Sequence, residues 1–183
     1  MRIVGGEARG RPLRSVPGSR TRPTADRVRQ SLFDALGQRM DGLAILDLYA
    51  GTGALGLEAL SRGAARAVLV ESDARACGVI FHNLAALGYD ARCQVVRGEL
   101  PGALREVGGE RFDLVFSDPP YVLRAAQATL DGLQSGDLLA SGARVVLETD
   151  WRETAPVPPP GLALDDERRY GDTRVLIYSN SRG

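Results

Sequence analysis

Short apolar runs alternate with segments of helical periodicity from Leu43 onward, and this alternation constrains the fold more than any other feature of the chain. Short runs bounded by turn residues are typical of buried strands, whereas apolar residues at every third or fourth position are typical of helices. The predicted strands cover residues 44–48, 67–71, 93–96, 112–117 and 143–148, and the first two are followed by helices 54–61 and 74–87. Strands that alternate with helices form right-handed crossovers, so we expect an α/β fold with a mostly parallel sheet covered on both faces.

The last part of the chain has a different pattern. After the proline-rich loop 156–161, two further strands flank Gly171-Asp172, a pair typical of a tight hairpin turn. We therefore expect a Rossmann-like sheet of seven strands, of which the last is antiparallel. A chain of 183 residues suits one domain, here 1–183, because it can bury roughly 70% of the surface that its unfolded form exposes.

Several classes of protein are disfavoured by composition. No stretch approaches the ~18 consecutive apolar residues of a membrane span, and the first residues lack the apolar segment of a signal peptide, so we expect a cytoplasmic protein. Cys77 and Cys93 lack the spacing of a metal site, and His82 is the only histidine. We expect no metal, two cysteines in the core, and a monomer.

Positive charge is concentrated at the N-terminus, although the whole chain is neutral. Residues 1–30 carry a formal charge of +6, and the remainder carries −6, with 15 of the 23 basic and 21 of the 23 acidic residues. The basic residues of the first segment are Arg2, Arg9, Arg11, Arg14, Arg20, Arg22, Arg27 and Arg29. This asymmetry favours a polyanionic partner, and the alternative is a solvated tail.

The same segment predicts a basic β-hairpin followed by a helix. Two short strands near 2–4 and 11–14 are joined by a Gly/Arg-rich loop, so residues 1–23 are expected to form an RNA-binding extension of the domain. A helix should follow from Thr24, as its N-cap, to about Leu36.

A strand that runs into a glycine-rich turn predicts a cofactor site. The candidate residues are Asp47, Tyr49, Ala50, Gly51, Thr52, Gly53, Glu71 and Ser72. The string Gly51-x-Gly53-x-x-Gly56 also matches the dinucleotide fingerprint, so the glycines alone leave NAD open. Asp47 favours a ligand with a cationic group, such as S-adenosylmethionine (SAM), because a pyrophosphate beside this carboxylate would be repelled. Glu71, at the end of the next strand, can accept hydrogen bonds from ribose hydroxyls.

Asp118-Pro119-Pro120-Tyr121 follows the apolar strand 112–117 and predicts the catalytic site. The lone pair of a base or amide NH2 group is delocalised, and two acceptors on its hydrogens can localise it toward a methyl donor. Asp118 and the carbonyl of Pro119 offer these acceptors, Pro120 stiffens the loop, and Tyr121 offers a face for stacking. An ordinary proline turn with a core tyrosine is the alternative.

These residues resemble the class I SAM-dependent methyltransferases. The segment Asp47 to Gly53 is similar to their first motif and Glu71 to their second acidic residue, and the tetrapeptide is similar to the (Asp/Asn/Ser)-Pro-Pro-(Tyr/Phe/Trp) motif of amino-methyltransferases. The resemblance implies that the adenine ring contacts the residues after the third strand, which are Gly98, Glu99 and Leu100.

At the N-terminus the chain is similar to the RsmD family. The residues that carry this likeness there are Arg2 to Gly6, Arg9 to Arg11 and Thr21 to Arg29, and the likeness then runs through Asp47 to Glu71, Asp118 to Tyr121 and Tyr170 to Thr173. The resemblance implies methylation of N2 of guanine 966 in 16S ribosomal RNA (rRNA) within the small ribosomal subunit or its assembly intermediate. It also makes Arg22 and Thr24 site candidates beside the base pocket.

Three other functions remain open from the residues alone. A DNA adenine-N6 methyltransferase would use the same tetrapeptide, although no second domain is available to read a DNA sequence. An NAD-dependent oxidoreductase would account for the glycine-rich turn but would leave residues 118–121 without a function. A non-catalytic RNA-binding module could retain the same fold.

Overall fold

The computed structural model describes residues 1–17, 24–107, 109–120 and 125–181, and within them seven strands form one sheet in the order β3-β2-β1-β4-β5-β7-β6. The strands are β1 (Ala44–Leu48), β2 (Arg66–Glu71), β3 (Cys93–Arg97), β4 (Phe112–Ser117), β5 (Leu139–Asp150), β6 (Leu162–Tyr170) and β7 (Thr173–Asn180). Strands β1 to β5 pair in parallel, and β7 is antiparallel to both of its neighbours. The predicted mixed sheet with an antiparallel last strand is confirmed.

The helices agree closely with the periodicity of the sequence. They are α1 (Thr24–Leu36), α2 (Ala54–Ser61), α3 (Ala74–Leu87) and α4 (Ala125–Ser135), with 3₁₀ turns at Asp90–Arg92 and Gly102–Val107. The bounds of α2 and α3 are those predicted. Helix α3 begins where the Asp73 side chain accepts a hydrogen bond from the Arg75 N–H at 2.9 Å, and it ends at Gly88, whose φ is +73°.

Strand β5 is longer than its apolar run predicts. The sequence predicts 143–148, but hydrogen bonding to neighbours extends the strand to Leu139 at one end and to Asp150 at the other. Residues 141 and 142 are exposed, and they lie in an irregular part of β5 where the five-residue step from Leu139 to Arg144 opposes the two-residue step from Phe112 to Leu114 in β4. The length of β5 is therefore set by its main-chain hydrogen bonds to β4 and β7 rather than by the extent of its apolar run.

The sheet separates two layers of apolar side chains. Helices α1, α2 and α3 cover one face, where Phe33 and Phe116 place their ring centroids 5.6 Å apart. Helix α4 and the turn 102–107 cover the other face. None of the helices in the described part of the chain is both long and apolar enough to cross a membrane.

Helix α1 runs antiparallel to β5 and so brings its first turn to the carboxyl edge of the sheet. Near the end of the helix, Arg144 Nη2 donates to the Leu36 carbonyl at 2.8 Å. Farther toward the helix start, the hydroxyls of Ser31 and Tyr170 are 2.9 Å apart, and Tyr170 lies near the carboxyl end of β5 through its pairing with Thr173.

The N-terminal segment packs against the domain. Its two arms are antiparallel, with a single bridge between Arg2 and Pro12 and a hydrogen bond from the Ile3 N–H to the Arg11 carbonyl at 2.9 Å. Ile3 is fully buried, and Ala8 and Leu13 are also buried. The two arms therefore pair over fewer residues than the two strands that the sequence predicts. Their buried side chains are part of the core layer on the side of α2 and α3.

Candidate active site

Three neighbouring strands bring the candidate residues to one edge of the sheet. Leu48 of β1 pairs with Ser117 of β4, and Ser117 pairs with Leu147 of β5. The glycine turn after β1 and Asp118 after β4 are therefore adjacent. Parallel α/β sheets bind their ligands at the carboxyl ends of the strands, so this is the edge where a ligand is expected.

The turn after β1 has a backbone that few residues adopt. Tyr49, Gly51 and Gly53 have φ values of 59°, 57° and 76°. A Cβ at Gly53 would lie 2.8 Å from a methyl of Leu69, so the turn can pack this tightly only with glycine. Tyr49 adopts the left-handed region without that freedom, at a cost on the order of 1 kcal/mol, and its hydroxyl lies 3.4 Å from that of Thr129.

The Asp47 carboxyl is buried beneath this turn. Its Oδ2 accepts a hydrogen bond from the Gly56 N–H at 2.9 Å, and its residue is 2% exposed. The pKa of Asp47 is raised to about 7, mainly by burial; the hydrogen bond from Gly56 opposes this rise, and the nearby charges of Asp118 and Glu71 contribute to it. Among the described residues no cation pairs with Asp47, so the arrangement suits a ligand that brings a positive charge.

Glu71 connects the glycine turn to the start of α3. Its Oε2 accepts from the Gly51 N–H at 2.8 Å, and its Oε1 accepts from the Asp73 N–H at 2.8 Å. Each carboxylate oxygen has a second lone pair, so both remain able to accept from hydroxyls of a ligand. Ser72, which follows it, is exposed.

The segment after β3 lies beside the same turn. The Gly98 N–H donates to the Glu71 carbonyl at 3.1 Å, and a Cβ at Gly98 would lie 2.8 Å from Ala103 Cβ. Glu99 is exposed, whereas Leu100 packs with Tyr49 against the core layer on the α4 side. The contact of Gly98, Glu99 and Leu100 with the adenine ring stays a prediction, in which Leu100 would be the apolar member.

The catalytic candidates lie at the end of β4. Asp118 is accessible to solvent, yet partial burial of its carboxyl raises its pKa. Pro119 is buried and Pro120 is exposed. Tyr121 lies outside the described residues, so its stacking role stays a prediction.

Glu148 is a further acidic residue at this edge that no sequence motif singled out. Burial, followed by the charges of Asp118 and Asp47, raises its pKa to about 8. The available signal was an acidic residue directly after the buried run 145–147, at the carboxyl end of a predicted parallel strand. That signal is weak without the knowledge that β5 lies next to β4.

Asn83 of α3 is a second missed residue, and it joins the N-terminal segment to the glycine turn. Its Oδ1 accepts from the Arg14 N–H at 2.8 Å, and its Nδ2 donates to the carbonyls of Arg14 and Thr52, both at 3.1 Å. The side chain is buried, so its polar atoms need these partners. A buried asparagine in an amphipathic helix was the signal for this role.

The predicted RNA-binding arginines separate into several groups. Arg2, Arg9 and Arg27 line a cleft of about 300 Å³ between the N-terminal segment and the first turns of α1. Arg11 and Arg14 are exposed on the side that faces α3, where Arg11 donates to the Ala86 carbonyl. Arg20 and Arg22 lie outside the described residues, so their RNA-binding role stays a prediction.

Arg29 differs from the other arginines, because it is buried and ion-paired. It is 5% exposed, donates to Asp26 Oδ1 at 2.9 Å, and lies 3.5 Å from Glu58 Oε2. The same carboxyl accepts from Arg62 Nε and from the Val4 N–H, both at 2.8 Å. Arg29 therefore connects the N-terminal segment, α1 and α2, and we remove it from the RNA-binding set.

The remaining sequence expectations concern metals and aromatic residues. Within the described ranges, no group of three or more His, Cys, Asp and Glu side chains could hold a metal ion. The guanidinium groups of Arg169 and Arg174 both lie over the Trp151 ring, 4.8 and 4.7 Å from its centroid. This position suits a loop anchor.

Comparison with known proteins assigns the chain to a family. A family model described as "Conserved hypothetical protein 95" matches residues 1–179. Ribosomal RNA small subunit methyltransferase D of Escherichia coli strain K12 is 35% identical over 178 residues, which cover 97% of this chain and 89% of that protein. The Bacillus subtilis protein YlbH is 37% identical over 183 residues, which cover 97% and 98% of the two chains.

A solved structure extends this comparison to the fold. The structure of yhhF from Escherichia coli superposes with a TM-score of 0.87 at 36% identity, and it covers 98% of this chain and 97% of that one. The similarity therefore includes the N-terminal segment, the glycine turn and the end of β4. Both comparisons lead to one conclusion: the chain belongs to the family described as Conserved hypothetical protein 95, the RsmD family of methyltransferases.

Proposed function

We propose that this protein transfers a methyl group from SAM to the exocyclic N2 amine of a guanine in 16S rRNA, and that the base is guanine 966 of the small ribosomal subunit. The proposal is supported mainly by one observation: Asp118 and Pro119 lie next to the glycine turn that follows β1, in a member of a methyltransferase family. The name of the Escherichia coli relative specifies small-subunit rRNA as the substrate of that protein.

The residues around the glycine turn fit SAM. Asp47 offers a buried carboxyl without a described cationic partner, which suits the ligand's ammonium or sulfonium. Glu71 retains acceptor capacity for the ribose hydroxyls, and Leu100 offers an apolar contact for the adenine. When bound, SAM supplies an electrophilic methyl group on sulfur.

Two acceptors at the end of β4 would activate the amine. The Asp118 carboxylate and the Pro119 carbonyl each accept one N–H of the base, which turns the nitrogen lone pair toward the methyl carbon. As the N–C bond forms and the S–C bond breaks, the nitrogen becomes positively charged. It then releases one proton, which Asp118 can accept directly, so no covalent enzyme intermediate is required.

The exposed arginines would hold the RNA backbone. Arg2, Arg9 and Arg27 lie together, and Arg27 is in the first turn of α1, which reaches the carboxyl edge of the sheet. Phosphates bound along this cleft would leave a splayed base free to enter the site. We expect the protein to act as a cytoplasmic monomer on the small subunit or its assembly intermediate.

Methylation of ribosomal particles tests the proposal. Particles from a strain that lacks this enzyme should be incubated with purified protein and SAM, and nucleosides from the digested rRNA analysed by mass spectrometry. N2-methylguanosine should appear at one position, and Asp118→Ala should abolish it. Methylated adenine, or binding of NADH instead of SAM in calorimetry, would refute the proposed reaction.

A further inference from the structure

We infer that Glu148 reads the N1–H group of the target guanine and so selects guanine over purines that lack this hydrogen. The inference rests on the proposed function, because it concerns how the same site recognises its base. Glu148 is in β5, outside the glycine turn and the tetrapeptide that define the site by sequence.

The strand register places Glu148 beside Asp118. Ser117 of β4 pairs with Leu147 of β5, so the residues that follow each of them occupy equivalent positions on adjacent parallel strands. Such strands are roughly 4.8 Å apart. Phe116 and Val146, two residues earlier on each strand, both contribute to the core layer on the α1 side. By the alternation of a strand, Asp118 and Glu148 project toward that same side.

Glu148 is close to the reacting groups and has no polar partner among the residues that the structure describes. Asp118 and Asp47 act on its carboxyl electrostatically, in addition to the effect of burial. No residue within 1–17, 24–107, 109–120 or 125–181 forms a hydrogen bond or an ion pair with this side chain. A partly buried carboxyl without a partner is unfavourable, and a ligand that donates a hydrogen bond would satisfy it.

The chemistry of guanine determines which donor this is. The N2 amine has the N1–H donor on one side and the N3 acceptor on the other. When the N2 hydrogens are on Asp118 and the Pro119 carbonyl, an ionised second acid beside Asp118 can face only N1, because beside N3 it would place two acceptors together. Glu148 can accept from N1–H whether or not it is protonated, and the protonated form can also donate to O6.

A base analogue separates the recognition of N1–H by Glu148 from the methyl transfer itself. 2-Aminopurine has the same N2 amine as guanine but carries a lone pair at N1 and has no O6. We would place guanine or 2-aminopurine at the target position of reconstituted particles and measure kcat/KM with the full-length protein. At pH 8.5, above the pKa of about 8 that burial gives Glu148, the wild type should prefer guanine by about 10- to 150-fold, as expected for a hydrogen bond to a charged group.

Variants at position 148 test which residue provides the preference. Glu148→Gln should keep most of it, since an amide oxygen accepts from N1–H, whereas Glu148→Met should reduce it to within about threefold. SAM affinity, measured by calorimetry, should stay within about twofold of wild type, as a loss of about 0.4 kcal/mol or less would indicate no contact with SAM. Asp165→Asn, an exposed acid of β6, is the matched control.

Each contrary result has a distinct meaning. Equal kcat/KM for the two bases with the wild type would overturn the inference without any variant. A Glu148→Met protein that loses activity on both bases by the same factor would make the residue structural, and one that loses SAM affinity would assign it to the cofactor. If the wild type methylates no guanine N2 in any particle, the proposed function itself fails.

Discussion

The Asp47 carboxyl should make the ligand-free protein less stable as pH rises, and Asp47→Asn should remove this loss. Burial raises the pKa of Asp47 from 3.8 to about 7 in the folded protein. An acid with a higher pKa in the folded than in the unfolded state binds its proton more tightly when folded. Its contribution to stability is therefore complete below about pH 4 and is lost by about pH 7.

The size of the effect follows from this shift. Between pH 5 and pH 7 the wild type should lose about 3 kcal/mol of unfolding free energy through Asp47, at ~1.36 kcal/mol for each pH unit. Asparagine has no charge to bury, and its Oδ1 can still accept from the Gly56 N–H, which is 2.9 Å from Asp47 Oδ2 in the wild type. The advantage of the variant in Tm should then be roughly 6–12 °C larger at pH 8 than at pH 5.

Differential scanning calorimetry of the two ligand-free proteins at pH 5 and pH 8 would measure this difference. Asp131→Asn, which removes an exposed acid from α4, should shift Tm by a similar small amount at both pH values. If the difference in Tm between Asp47→Asn and the wild type is the same at both pH values, the reasoning is refuted. The stabilised variant should also bind SAM at least about tenfold more weakly at pH 8, because the ligand's cation loses its buried partner.

Four further predictions concern catalysis, cofactor binding, RNA and the N-terminal segment. Asp118→Ala should lower kcat by about 10²-fold or more and change SAM affinity less than about threefold, measured by turnover and calorimetry. Wild-type SAM affinity should rise up to about tenfold from pH 5.5 to 6.5, because Asp47 ionises as pH approaches 7. Arg9→Ala and Arg27→Ala should each reduce the slope of log RNA affinity against log salt by about 0.7 without changing Tm. Asn83→Ala should lower unfolding free energy by about 1–3 kcal/mol and weaken SAM binding, because the Thr52 carbonyl loses its donor.

Arg29 provides the contrast for the RNA experiment. Its charge is the same as that of Arg9, but it is buried against Asp26 and Glu58. Arg29→Ala should therefore destabilise the protein by about 3 kcal/mol and leave the salt slope of the folded protein unchanged. If Arg29→Ala has normal stability and a smaller salt slope of RNA affinity, Arg29 does bind RNA. If Arg9→Ala and Arg27→Ala leave this slope unchanged, the cleft that they line does not bind RNA.

Local sequence patterns predicted the helices and strands whose ends are set by residues next to them in the sequence. Helix α2 follows a glycine turn, and α3 lies between the Asp73 cap and Gly88, so both could be bounded from the sequence. Strand β5 could not be, because its extent depends on hydrogen bonds to β4 and β7. Arg29 was misplaced for the same kind of reason: a count of charges along residues 1–30 contains no information about Glu58.

The site shows the same division between local and non-local information. Asp47, Glu71 and Asp118 each stand at the end of a predicted strand beside a turn motif, and the carboxyl-edge rule is enough to bring them together. Glu148 needed the order of strands, because only the adjacency of β4 and β5 makes it a neighbour of Asp118. Asn83 needed the packing of the N-terminal segment on α3, which no periodicity encodes.

The separation of charge along the chain has a consequence for how RNA can approach. Asp47, Asp118 and Glu148 form an acidic edge, whereas Arg2 and Arg9 lie in the cleft beside α1. A phosphate about 4 Å from one of these carboxylates would be repelled by about 1–4 kcal/mol, depending on the local dielectric. The backbone should therefore stay on the arginines, and only an uncharged base can reach Asp118. We therefore expect the target nucleotide to be unstacked, with its base at the acidic edge and its phosphates on the arginines, so a guanine within a continuous duplex should not be a substrate.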